Sequence, residues 1–78
     1  MSIPRKVREE AAMICAIAAS SGPRYRFYSE VAEFIGASDA AWSLAADAFS
    51  WALTMEDSDP RVHDAEAEAL IRTGWSPA

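Results

Sequence analysis

The sequence predicts an all-α protein, a compact bundle of four helices forming one domain over residues 1–78. Three observations carry this. A chain of 78 residues has material for a single core. Apolar residues recur at helical spacing rather than alternating as in a strand. Apart from Pro4 and Pro77 near the two ends, glycine and proline fall at four places, Gly22-Pro23, Gly36, Asp59-Pro60 and Gly74, where helices start or stop.

The first helix is predicted over 4–20. Pro4 is tolerated in a first turn, and Gly22-Pro23 supplies a left-handed stop followed by a residue that cannot continue a helix. The second, over 30–35, is capped by Ser29, has Glu30 against the positive end of its dipole, and ends at Gly36. The third begins at Ser38 and Asp39, meets no glycine or proline before Pro60, and runs over 39–55. Asp59-Pro60 is an N-cap followed by proline at the first helical position, so the fourth spans 60–73. Gly74 closes it, and Trp75 folds back onto Leu70, the apolar contact of a Schellman stop. The loops at 20–28 and 56–59 are short enough for a bundle.

Hydrophobic residues make up 51% of the chain, but 17 of them are alanine, leaving 23 large apolar side chains. The core must be thin. Small domains usually add a staple, and a single cysteine excludes an internal disulfide, which leaves self-association. The third helix sharpens the point. At 100° per residue, Trp42, Ala46, Phe49 and Leu53 gather on one side and Leu44, Trp51 and Met55 near the opposite one. Ala41, Ala45, Ala48 and Ala52 fill the arc between them, matched on the first helix by Ala11, Ala12, Ala16, Ala18 and Ala19. Only Ser43, Asp47, Ser50 and Thr54 form a polar strip. The expectation is that the Trp42 side faces inward and part of the Leu44/Trp51/Met55 side meets a second subunit or a target. The alternative is that the first and fourth helices cover both sides within one chain.

Charge is divided along the chain. Residues 1–28 carry Arg5, Lys6, Arg8, Arg24 and Arg26 against Glu9 and Glu10, a net +3. Residues 29–78 carry ten carboxylates against Arg61 and Arg72, a net −8. Such a dipole steers encounter with oppositely charged surfaces, while the overall −5 disfavours a nucleic-acid coat. The cations of the first helix oppose its macrodipole, with Arg5–Glu9 and Lys6–Glu10 offering i,i+4 relief, so that end either frays or waits for an acidic partner. The apolar run 11–19 is nine residues long, whereas a membrane helix needs about 20. Basic residues before it resemble a secretory signal, but Glu9 and Glu10 abut it, and the expected location is cytoplasmic.

Residues 28–47, YSEVAEFIGASDAAWSLAAD, resemble the helix-turn-helix motif of bacterial and phage DNA-binding regulators. In that family a small residue lies four before a turn glycine and apolar residues recur on both helices. Ala32 and Gly36 take those places, with Val31, Ile35 and Ala37 flanking and Trp42 and Ala45 on the second helix. Ala32 lets two helices cross closely, and Gly36 takes a left-handed turn. The resemblance implies that Ser38, Asp39, Ala40, Ser43, Leu44 and Asp47 face a DNA groove. None is an Arg, Lys, Asn or Gln able to read a base edge, and two are carboxylates. Nucleic-acid contact would instead fall to Arg5, Lys6, Arg8, Arg24 and Arg26, interleaved with Tyr25, Phe27 and Tyr28; equally, those aromatics can plug the core.

Cys15 reads as a small buried hydrophobe. His63 reads as solvent-facing or helix-capping. Glu56, Asp57 and Asp59 form a solvated loop, because an EF-hand needs a further acid and a glycine at fixed offsets. No paired acid and base and no phosphate-cradling loop is present, so neither an enzyme nor a cofactor or metal site is expected. The reading is a small protein-interaction module, homodimeric, whose acidic or shared apolar face (Asp39, Leu44, Asp47, Trp51, Met55, Glu56 and Asp57) binds a basic partner surface; were that surface a nucleic-acid-binding groove, the chain would act as an inhibitor, as small proteins of mobile elements do. The alternative is a helix-turn-helix regulator gripping DNA through the basic N-terminal third. No membrane partner is expected.

Overall fold

A computed structural model of the chain describes residues 3–22, 27–55 and 59–77. Among them are four α-helices and no strand: α1 (Arg5–Ser21), α2 (Tyr28–Ile35), α3 (Asp39–Ala52) and α4 (Pro60–Arg72). The protein is the all-α four-helix bundle expected. α1 packs most extensively on α4 and then on α3, α3 also packs on α4, and α2 lies against α3 and α1.

The predicted punctuation operates at most ends. Ser38 Oγ accepts from the Ala41 N–H, and an Asp59 carboxylate oxygen accepts from the Arg61 N–H, with Pro60 at the first helical position. Gly36, at φ 72°, and Gly74, at φ 97°, terminate α2 and α4 in the left-handed turn. At each stop the residue after the glycine donates back five positions, Ala37 to Ala32 O at 2.8 Å and Trp75 to Leu70 O at 3.1 Å, which is the Schellman pattern.

Two boundaries differ from expectation. α2 begins at Tyr28 with Phe27 as its N-cap, and Ser29 does not cap it. The Phe27 carbonyl accepts from Glu30 and Val31, so the first turn is already wound, and the buried Tyr28 side chain anchors it. α3 stops at Ala52 rather than near Met55. There the ladder tightens to i→i−3 bonds, Thr54 N–H to Trp51 O and Met55 N–H to Ala52 O, and the Thr54 hydroxyl also donates to Trp51 O at 2.7 Å. A side chain competing for a backbone carbonyl is a common reason for a helix to end.

The core is made mostly of alanine. Nine of the fifteen buried apolar residues described are Ala, and the largest fully buried side chains are Ile14, Ile71, Val31 and Cys15. The molecule is shallow, with extents of 32 × 26 × 14 Å, and of the described Phe, Trp and Tyr side chains only Tyr28 is buried. The inward direction of α3 is therefore not the Trp42 side. It is the arc of Ala41, Ala45, Ala48 and Ala52, together with Leu44; of these, Ala41, Leu44, Ala45 and Ala48 share one buried cluster with Ala11, Ala12 and Ala18 of α1. Small side chains let helix axes approach closely. Trp42 and Phe49 flank this seam half-buried on one side, while Trp51, 51% exposed, flanks it on the other.

The charged residues of α1 brace its neighbours. Arg8 Nη1 donates to Ile71 O at 2.9 Å and Trp75 O at 2.8 Å, putting a cation on the negative end of the α4 dipole. Glu10 Oε1 accepts from the Ser38 N–H and hydroxyl, putting a carboxylate at the positive end of α3. At the basic start of α1 the helix begins at Arg5, Arg5 Nε pairs with Glu9 at 2.9 Å, and Glu10 serves Ser38 rather than Lys6.

Candidate functional site

Two concave surfaces gather the side chains able to act. The larger is a cleft of about 790 Å³ to which all four helices contribute, within the size range of small-molecule pockets. Gly22, where α1 ends, and Pro60, where α4 begins, both border it, and Phe27 and Tyr28 enter from the start of α2. The half-buried side of α3 adds Trp42 and Phe49, and α4 adds Arg61 and Asp64. The expected inward side of α3 has therefore become a cleft wall.

Asp64 is 8% exposed, and the Tyr28 hydroxyl donates to its Oδ1. Burial raises the Asp64 carboxyl above its ordinary range, while the Tyr28 bond and the neighbouring His63 pull it back down. Tyr28 is raised by burial and by its bond to Asp64. Burial, reinforced by the nearby Asp64 charge, pushes the Cys15 thiol up to about 12, so Cys15 is the inert buried group expected. The Tyr28 ring meets Phe49 edge to face at 5.4 Å, and Phe49 meets His63 in the same way at 6.2 Å. His63 is neither solvent-facing nor a helix cap. It is 3% exposed, and its Nδ1 and Nε2 have no hydrogen-bond partner among the described residues.

The second surface lies at the C-terminal end of α3, a shallow groove of about 360 Å³ where Asp47, Trp51 and Thr54 meet Trp75 and Pro77. The Trp51 and Trp75 rings are 6.4 Å apart at a 35° tilt. Leu53 and Met55, just past the end of α3, are 51% and 43% exposed.

The residues singled out from sequence separate into three groups. Trp51, Met55 and Asp47 lie exposed around the α3 C-terminus, and Asp39 is exposed at its N-terminus, accepting from Trp42 Nε1 at 3.2 Å. Leu44 does not join that surface, because at 5% exposure it belongs to the core. Of the cations, Arg5 and Lys6 are exposed, but Arg8 is committed to the end of α4 and is not available to a phosphate backbone. Glu56, Asp57, Arg24 and Arg26 lie outside the described residues, as does Tyr25.

Sequence reasoning missed Tyr28, His63 and Asp64 as a buried polar group. The signal was present in part, since 63, 64, 67 and 71 share one helical face, the one that α4 buries. No spacing rule, however, pairs position 64 with position 28. Among the described residues no cluster of three or more His, Cys, Asp or Glu could hold a metal, and no helix is long and apolar enough to cross a membrane. Comparison with protein-family models, with curated proteins and with solved structures finds no match to this chain.

Proposed function

We propose that this chain is a small non-enzymatic protein-interaction module that pairs with a second copy through the end of α3 and offers its acidic side to a basic partner surface. The observation supporting this reading is the run of half-exposed Trp51, Leu53 and Met55. In a chain with so few large apolar residues, leaving three of them in solvent near one helix end suits an interaction site. Beside it, Asp47 borders the groove in which Trp51 and Trp75 lie. Two indole rings next to a carboxylate suit a lysine or arginine side chain, through cation–π attraction to the rings and charge pairing with the acid.

Sedimentation velocity of the wild type and of Trp51→Glu tests the self-association. The expected result is a concentration-dependent dimer for the wild type and a monomer for Trp51→Glu, both retaining helical circular dichroism. A monomer in both removes the homodimer. The basic-partner arm is read separately, by titrating tryptophan fluorescence with a short Lys-rich peptide and a Glu-rich control. Asp47→Asn should weaken only the former, and equal responses to both peptides reject the acidic-face reading.

A further inference from the structure

We propose that the four-helix cleft is a binding site for a small lipophilic organic cation, an aromatic or alkyl amine whose ammonium meets Asp64 and whose body lies against Phe27, Trp42 and Phe49. This site is separate from the α3 end proposed for protein contacts.

Three features support it. First, the cleft collects apolar surface the fold can ill spare. Phe27 is 63% exposed at its edge, Trp42 and Phe49 are only half-buried along it, and about 790 Å³ lies between. Side chains bordering an unfilled volume forgo dispersion contacts that an occupant of matching shape restores. Second, the wall holds a carboxylate that is more than nine-tenths buried. Among the described residues the ion pairs are Arg5–Glu9 and Arg72–Glu68, and neither includes Asp64. Its one hydrogen-bond donor in the described set is the neutral Tyr28 hydroxyl. A buried carboxylate is costly without an opposite charge, and an ammonium supplies it. Third, the π faces of the lining rings attract cations, most strongly where water is excluded. The chain as a whole carries −5, so its field favours a cation over an anion of the same shape. The volume suits a molecule of two or three rings better than a lone trimethylammonium group.

The test holds the body constant and varies the charge. The intact chain is titrated by calorimetry with 1-naphthylmethylamine, 1-naphthalenemethanol and 1-naphthoate, and the site is located by amide chemical-shift changes. The amine is expected to bind saturably with shifts at Phe27, Trp42 and Asp64, the alcohol and the acid at least about tenfold more weakly, as loss of one charge-assisted contact implies. Asp64→Asn should lose about tenfold for the amine while leaving the alcohol unchanged, and Ser29→Phe, a surface change at the cleft edge, should weaken both. Equal binding of all three probes, no saturable binding of the amine, or full amine affinity in a folded Asp64→Asn would overturn the proposal. So would tighter binding of N-acetyl-lysine amide than of the naphthyl amine, which would assign the site to a protein side chain. If Asp64→Asn does not fold, the charge series on the wild type and on Ser29→Phe decides. Failure here leaves the sedimentation result untouched.

Discussion

Arg8 shows how one residue can be misread by its charge. From the sequence it is one of five N-terminal cations; in the fold it holds two carbonyls at the end of a helix more than sixty residues away. Arg8→Ala should therefore cost about 2 kcal/mol of stability, through the loss of two charge-assisted bonds at the end of α4. Arg5→Ala, at a solvent-exposed pair, should cost only a few tenths. Urea unfolding of the two variants side by side checks the contrast, and similar midpoints would reject it. Cys15 gives a second test at this scale. Its thiol titrates near the ordinary 9.0 when unfolded and at about 12 when folded. A group raised in the folded state contributes stability that is fully present below its unfolded value and is lost as pH rises through the folded one. The protein should thus weaken from about pH 9 upward, with Cys15→Ala flattening the first part of the decline. Tyr28, also raised, should maintain the decline at higher pH. Denaturant midpoints from pH 8 to 11 measure it.

At the scale of elements, α3 determines the packing because its buried arc is made of methyl groups. Ala48 is fully buried, on the seam that α1 and α4 approach. Ala48→Leu should destabilise by about 1–3 kcal/mol through overpacking, although leucine is the more hydrophobic residue. Ser43→Leu, on the exposed side of the same helix, should change stability by less than about 0.5 kcal/mol. Thermal melts followed at 222 nm separate the two. The helix ends follow the same logic. Asp59, Ser38, Gly36 and Gly74 act locally and were legible from residue type and position. The start of α2 was not, because Tyr28 is drawn into the helix by burial and by Asp64, which lies 36 positions away. The end of α3 was missed for a different reason: Thr54 forms a short-range bond that no glycine or proline announces.

At the scale of the molecule, the charge division sets which partners are favoured. With Arg8 committed to α4, the described basic surface of α1 is reduced to Arg5 and Lys6, and Arg5 is already paired with Glu9. At most four of the five N-terminal cations, Arg5, Lys6, Arg24 and Arg26, remain to meet phosphates, so the log–log salt slope for random duplex DNA should be no steeper than about −4. Fluorescence anisotropy over a salt series measures the slope, and a value near −5 would restore the helix-turn-helix regulator as the leading reading. Ala32 and Gly36 occupy the buried and left-handed positions that this resemblance requires, but they report how two helices cross rather than what the second helix touches.

By itself the sequence determined that the protein is helical, that it has four such segments, where most of them begin and end, and that the core would be thin. These features depend on periodicity and on local backbone chemistry, both of which operate within a few residues. Only the tertiary structure decided which side of α3 faces inward, that Leu44 is core and Trp51 is surface, that Arg8 caps a distant helix, and that Tyr28, His63 and Asp64 form a buried polar group beside a cleft. An amphipathic helix with two apolar sides has no preferred rotation of its own. Its orientation is settled by how closely its neighbours can approach, and here the alanine arc, not the larger rings, allows the closest approach.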